Sequence, residues 1–286
     1  FAQLKRADVV VGTPGRLLDH IKQGTLKTEH IKILVLDEAD KMFDMGFIFD
    51  LKKIISRIPQ DSQKLLFSAT MPHAVIEIAK QYMKNPEKVK MESYVDKNKL
   101  IQHYYDIERR NKFSLLVHTI KKEARGLTIV FCGTRHMVNN VNRNLYKQSI
   151  KSQALHGGLS QNQRKKTMDD FHNGKLDVLV ASDVAARGLD IKNVNLIVNF
   201  DIPKTSREYV HRIGRTARAG SEGKVISLLC HEDYDQFSHV LEDKSLFIHK
   251  LETPKFEYVE FFRQHSRGNF RGNSSGNRSS GNRRWR

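Results

Sequence analysis

Ile33-Leu34-Val35-Leu36-Asp37-Glu38-Ala39-Asp40 runs an unbroken apolar stretch straight into three carboxylates. An apolar run of strand length with no polar alternation is the mark of a strand buried on both faces. Such strands belong to parallel sheets covered by helices, and ligands there bind beyond the carboxyl ends of the strands. An aspartate at that point can hold Mg²⁺ through its water shell, and the glutamate beside it can orient or deprotonate a water. The same tetrapeptide also suits an ordinary loop with a helix N-cap, so that alternative stays open at this point.

Working outward, β-rich runs recur at residues 8–11, 65–67, 127–132, 177–181, 196–200 and 225–229, most of them continuously apolar. Helical patterns lie between them. Phe47, Ile48, Leu51, Ile54, Ile55 and Ile58 form one apolar stripe, and Met137, Val138, Val141 and Leu145 form another. Strand–helix alternation predicts an α/β fold with a doubly wound parallel sheet. The polar stretch 92–99 predicts a linker. It separates a short first domain, residues 1–91 with three or four strands, from a fuller second one, residues 100–251 with at least four.

The 286 residues carry 49 Lys and Arg against 32 acids, a net +17, which points to a polyanionic partner, nucleic acid first. Residues 252–286 read as a basic tail, disordered from about 263: Arg263 to Arg286 holds seven arginines, no acid and repeated Gly-Asn pairs. Without those arginines the remainder still carries +10. No apolar run is long enough to span a membrane. The two cysteines, Cys132 and Cys230, exclude a disulfide scaffold and a four-cysteine zinc site, and their apolar surroundings predict buried thiols in a reducing compartment.

Two further motifs bear on chemistry. Ser68-Ala69-Thr70 follows the run at 65–67 and would emerge beside the acidic loop, where its hydroxyls can hydrogen-bond to carboxylates; an ordinary Ser/Thr turn is the alternative. In His211-Arg212-Ile213-Gly214-Arg215-Thr216-Ala217-Arg218, arginines recur at every third residue. Guanidiniums on one helical face repel unless an anion lies among them, and arginine suits bidentate phosphate contact. The alternative is a solvated basic helix face.

Taken in order, Thr13-Pro14-Gly15-Arg16, Asp37-Glu38-Ala39-Asp40, Ser68-Ala69-Thr70, Ile129-Val130-Phe131, Gln161-Asn162-Gln163-Arg164, Ser182 to Asp190 and His211 to Arg218 resemble the motif series of the DEAD-box ATP-dependent RNA helicases of superfamily 2. The resemblance runs from Ala7 to about Leu251. It implies two RecA-like domains, the first incomplete, joined by a linker and closing over ATP and single-stranded RNA. It also implies ATP and Mg²⁺ as cofactors and RNA of little sequence specificity as partner. By the resemblance, Asp37 is similar to the Mg²⁺ ligand, with Glu38 beside it at the metal and activating the attacking water. Asp40, Ser68, Thr70 and His211 resemble the network coupling ATP to closure. Arg215 and Arg218 resemble arginine fingers, while Gly188 and Asp190 resemble second-domain nucleotide contacts. Thr13, Gly15 and Arg16 in the first domain resemble RNA contacts. So do Thr134, Gln161, Arg164, Ser182, Asp183 and Arg187 in the second.

Some departures accompany it. Ser182 stands where threonine is commoner and keeps the hydroxyl. Ala217 stands where glycine is commoner, at little cost if the backbone there is helical. The phosphate-cradling G-x-x-x-x-G-K-[ST] is missing: Gly174-Lys175 is followed by Leu176 and Gly223-Lys224 by Val225, and only twelve residues precede Thr13. The adenine-reading glutamine segment is missing too. A start at Phe1 inside a motif series leads one to expect a portion of a longer helicase. The alternatives are a C-terminal subunit of a split helicase and a passive RNA-binding or annealing protein. The remaining expectations are a monomer without membrane contact, cytoplasmic or, in a eukaryote, nuclear or nucleolar. Ribonucleoprotein components could be reached through the tail.

Overall fold

The computed structural model describes residues 4, 7–90, 100–186, 191, 194–217 and 222–263. The expected linker at 92–99 and the tail beyond 263 lie outside them. The chain divides into two compact units, Phe1–Glu92 and Ser93–Arg286.

The first unit runs α1 (Pro14–Lys22), β1 (Ile33–Leu36), α2 (Ala39–Asp44), α3 (Ile48–Ile55), β2 (Gln63–Leu66) and α4 (His73–Tyr82). β1 and β2 pair in parallel, Ile33 opposite Gln63 and Leu36 opposite Leu66. The apolar stripe on α3 buries as the periodicity predicts. Leu51 and Ile55 pack with Leu36 and Ile78, while Ile54 and Ile58 pack with Leu18. Each such side chain contributes about 1.5–3 kcal/mol.

Two expectations for this unit fail. Residues 8–11 form no strand, and Val9 and Val11 are 78% and 92% exposed. A β-branched run favours extended backbone, but a strand needs a neighbour to take its N–H and C=O groups. None is hydrogen-bonded to it among the described residues. β1 is not buried on both faces either. Leu34 and Leu36 turn inward, but Ile33 and Val35 on the opposite face of the pleat are 55% and 51% exposed.

The second unit runs β3 (Leu100–Asp106), α5 (Lys112–Glu123), β4 (Leu127–Phe131), α6 (Arg135–Lys147), β5 (Ser152–Leu155), α7 (Gln161–His172), β6 (Val178–Ala181), α8 (Asp183–Ala186), β7 (Val194–Asn199), α9 (Ser206–Ile213), β8 (Gly223–Leu229), α10 (Tyr234–Leu241) and β9 (Ile248–Leu251). Its strands form one sheet in the order β5-β6-β4-β7-β8-β3-β9, every pairing parallel. Alternate residues feed two cores. Ile129, Phe131, Leu179 and Ile197 pack against α7, α9 and α10 through Phe171, Tyr209 and Phe237. Val130, Val180, Val198 and Ile226 pack against α5 and α6 through Phe113, Leu116 and Val141. This is the doubly wound sheet the alternation predicts, with both cysteines buried as free thiols. Three of its strands, β3, β5 and β9, are absent from the sequence reading.

Residues 252–263, which the sequence reading places in the tail, lie extended against α5 and α6. Ser114 Oγ donates to Val259 O (3.2 Å) and accepts from Val259 N–H (2.9 Å). Asn144 does the same for Phe262: Nδ2 donates to the carbonyl at 3.0 Å and Oδ1 accepts from the amide at 3.1 Å. Phe261 stacks on Phe113, with centroids 4.9 Å apart. The two polar side chains sit where two helix faces would otherwise bury unpaired amides, so this strap is sewn down as well as packed.

Candidate nucleotide and RNA site

In the first unit, parallel pairing of β1 and β2 delivers the acidic loop and the Ser-Ala-Thr turn to one sheet edge. Phe67 N–H donates to Leu36 O (2.8 Å) and Ala39 N–H to Phe67 O (3.0 Å), so the two loops leave side by side. Asp40, 1% exposed, is the joint. Its Oδ2 accepts from Thr70 Oγ1 (2.7 Å) and Thr70 N–H (3.0 Å), and its own N–H donates to Ser68 Oγ (3.1 Å). Ser68 Oγ in turn donates to Thr70 O at 2.6 Å. Thr70 therefore grips the carboxylate, while Ser68 ties backbone to backbone.

Asp37 and Glu38 stand at the open rim of this joint. Asp37 Oδ1 accepts from Glu38 N–H at 2.8 Å, and its carboxylate is otherwise turned to solvent. Glu38 sits at φ 49°, ψ 46°, a left-handed conformation that costs a non-glycine residue about 1–2 kcal/mol. Its carboxylate accepts from Lys41 Nζ at 2.7 Å. Among the described residues no cluster of three His, Cys, Asp or Glu could hold a metal unaided. Mg²⁺, which keeps several waters and takes one or two carboxylates besides phosphate, fits the exposed Asp37 oxygens.

Thr13 precedes α1, with Pro14 at its first position and no side chain capping the helix. The N-terminal amides are thus left for an outside anion. A Cβ on Gly15 would meet nothing within 4 Å, so internal packing does not require glycine there.

In the second unit Thr134, Gln161, Arg164, Ser182 and Asp183 follow the carboxyl ends of β4, β5 and β6, whereas Arg215 adjoins Thr216, which bridges to Val194 at the amino end of β7. Thr134 caps α6, its Oγ1 accepting from Met137 N–H at 3.1 Å. Ser182 ends β6, and its carbonyl starts α8 by accepting from Ala185 and Ala186. Gln161 opens α7 behind a capping box made by Ser160 and Gln163. Arg164 is half-buried one turn later, its Nε without a partner among the described residues.

The arginine series behaves differently from its spacing. α9 stops at Ile213, so Arg215 is not on the helical face that carries Arg212. Arg212 is 2% exposed and meets no open anion site. Nε and Nη2 donate to the two oxygens of Asp183, both at 2.7 Å. Nη1 donates to Asn199 Oδ1 (2.9 Å) and Asp201 O (2.7 Å). Repulsion among the guanidiniums is thus avoided by burying one against a carboxylate. Asp183 is committed to that pair. His211 and Arg215 lie half-buried just beyond. Ala217 has φ 52°, so the backbone there is left-handed, and the expectation of a cheap helical alanine is wrong. Arg187, Gly188, Asp190 and Arg218 lie outside the described residues.

The sequence reading did not single out the burial of Arg212 against Asp183, nor His156 beside the half-buried Arg164. His156 Nδ1 accepts from Gly158 N–H (3.1 Å) and its Nε2 faces Asn139 Oδ1 at 3.1 Å, which suits a neutral ring. Burial, then Arg135 and Arg164, push its pKa below the usual value. The pair Gly157-Gly158 after it was the available signal: a Cβ on Gly157 would stand 3.2 Å from Arg135 Nη2.

Set against known proteins, residues 1–78 match the family described as DEAD/DEAH box helicase and residues 111–220 the helicase conserved C-terminal domain. The DEAD-box ATP-dependent RNA helicase CshA of Geobacillus kaustophilus is 41% identical over 254 residues, 88% of this chain and 54% of its own length. The ATP-dependent RNA helicase DbpA of Bacillus subtilis is 40% identical over 260 residues, 90% of this chain and 54% of its own length. The chain therefore spans about half the length of these relatives. Among solved structures, a DEAD box protein from Methanococcus jannaschii is 38% identical, with TM-score 0.54, covering 87% of this chain and 69% of that one. The S. cerevisiae Dbp5 bound to RNA and ADP BeF3 is 32% identical, with TM-score 0.75, covering 86% and 66%.

Proposed function

The chain belongs to the DEAD/DEAH box helicases, and from that membership we propose that it is the motor portion of an ATP-dependent RNA helicase, coupling RNA-stimulated ATP hydrolysis to local duplex separation or ribonucleoprotein remodelling. The observation that carries the reading is the Asp40–Thr70–Ser68 joint. It locks the acidic loop to the end of β2 and leaves Asp37 at the open rim, beside Glu38 in its pair with Lys41.

In this reading Asp37 holds Mg²⁺, which when bound neutralises phosphate charge. Glu38 accepts a proton from the attacking water, and Arg215 and Arg218 stabilise charge on the transferred phosphoryl group. Gly188 and Asp190 hold the nucleotide. Thr13, Gly15 and Arg16, with Thr134, Gln161, Arg164, Ser182 and Arg187, grip RNA by sugar and phosphate, so sequence preference is low. Asp183 serves that grip through Arg212, and His211 joins Asp40, Ser68 and Thr70 in coupling. ATP and RNA then strengthen each other's binding by linkage.

These 286 residues contain no G-x-x-x-x-G-K-[ST], so by themselves they do not turn over ATP. The test compares phosphate release, with and without RNA, from this chain and from a version joined to a phosphate-loop segment. RNA-stimulated release only from the joined version is expected. Its absence there too overturns the helicase reading.

A further inference from the structure

At the amino end of the second sheet, opposite Thr134, Gln161 and Ser182, three helix-to-strand connections meet. α5 passes to β4 through Gly126, α6 to β5 through Ser149 and α7 to β6 through Gly174, with φ of 149°, 60° and 67°. The last two are left-handed helix stops. Lys175 N–H returns to Asp170 O (2.9 Å) and Ile150 N–H to Leu145 O (3.1 Å). Between the connections opens a cleft of about 670 Å³, its apolar wall made by Ile120, Leu127, Ile150 and Leu176.

The rim of this cleft is basic. Lys121 lines it, and the exposed Lys122, Arg125, Lys147 and Lys151 adjoin lining residues. Among the described residues none of these five has a carboxylate partner. Asp177 lines the cleft as an opposing charge, and Lys175 is paired with Asp170 at 3.5 Å. A helix macrodipole accounts for cations in a last turn, hence for Lys121, Lys122 and Lys147. It does not account for Arg125 or Lys151, which stand beyond the helix ends. The strap finishes at the same place: Phe262, held by Asn144, lies under Lys147 Nζ, 3.9 Å from the ring centroid. The chain leaves the described residues at Arg263 beside this rim, and the sequence beyond adds six arginines and no acid.

We propose that this basic rim is a second contact surface for the RNA phosphate backbone, at the amino end of the sheet, away from Thr134, Gln161, Arg164 and Ser182. The occupant is a polyphosphate chain because the charges are strung along a rim rather than converging on one anion. That pattern neutralises successive phosphates without reading bases. Strands of four or five residues separate the two ends by roughly 17 Å, about three nucleotides of extended strand. One RNA can therefore touch both. The inference rests on the RNA-binding reading above.

The test is binding of the 286-residue chain to an oligouridine RNA across a salt series. K121Q/K122Q/R125Q is expected to flatten the slope of log K against log salt by about 2, at about 0.7 per lost phosphate contact on a single strand. The same flattening is expected in a chain lacking residues 264–286. K52Q/K53Q/R57Q, which removes equal charge from around α3, is expected to leave the slope unchanged. If the triple variant fails to fold, R125Q alone replaces it, with an expected change of about 0.7. An unchanged slope in the rim variant, or equal flattening by both triples, overturns this inference alone. A wild-type chain that does not bind the RNA overturns the RNA-binding reading with it.

Discussion

Arg212 meets Asp183 through two parallel hydrogen bonds of 2.7 Å, fixing the helix after β6 to the helix after β7. Both elements carry motif residues, so one ion pair sets the spacing of Ser182 and His211. With Arg212 2% exposed, Asp183→Asn leaves a buried charge uncompensated and is expected to cost about 3 kcal/mol or more in urea unfolding of the chain. Arg212→Lys is expected to cost nearly as much, because an ammonium cannot reproduce the fork. Stability within 0.5 kcal/mol of wild type for both, on the order of ordinary surface changes, would show the pair to be incidental.

Asp40→Asn tests the joint of the first unit. It removes the charge that holds Thr70 and is expected to cost about 1–3 kcal/mol locally. Native-state hydrogen exchange at the amides of Thr70 and Lys41, which both bond to that carboxylate, is the measurement. Faster exchange there, without change at the β4 amides, is the expected pattern.

Glu38→Gln, placed in a version joined to a phosphate-loop segment, is expected to abolish turnover while ATP-dependent RNA binding persists, since Asp37 and the loop are untouched. Arg215→Ala in the same protein is expected to lower turnover by about 10³ or more. Wild-type hydrolysis by the Arg215 variant rules out the finger role.

His156 makes stability acid-sensitive. Its folded pKa lies below the ordinary 6.5, so above that value neither state is charged and the group contributes nothing adverse. As pH falls below 6.5 the unfolded chain takes the proton first, and stability is lost until the folded ring also titrates. His103, depressed by burial and Lys224, adds in the same direction. The urea midpoint is expected to fall between pH 7.5 and 5.5, and to fall less in His156→Gln. An equal fall in the variant assigns the acid sensitivity to other groups.

Continuous apolar runs marked β4, β6, β7 and β8 because burial on both faces leaves no room for polar residues. β5 and β9 are sheet edges, where Gln153, His249 and Lys250 are tolerated, and β3 carries Gln102 and His103 inside its length, so none of the three has that signature. Residues 8–11 show the converse error, since local propensity cannot report whether a neighbouring strand exists. The acidic loop and the Ser-Ala-Thr turn were legible as neighbours because parallel strands bring successive strand ends to one edge. The Arg212–Asp183 pair and the Asn144 clamp were not. They join residues 29 and 118 positions apart, and no local pattern encodes which partner a buried polar group will find.

The two units differ in how well each shelters its own backbone. The second closes seven strands between two apolar layers, whereas the first rests on two strands with Ile33 and Val35 uncovered. A protease samples whichever segment opens most often, and opening costs least where few apolar contacts must break. Limited digestion should therefore nick residues 7–90 early and leave 100–263 as a resistant fragment. The acidic loop would therefore be lost while Thr134, Gln161 and Ser182 still stood on an intact sheet, so a proteolytic remnant would keep one half of the motif series without the other.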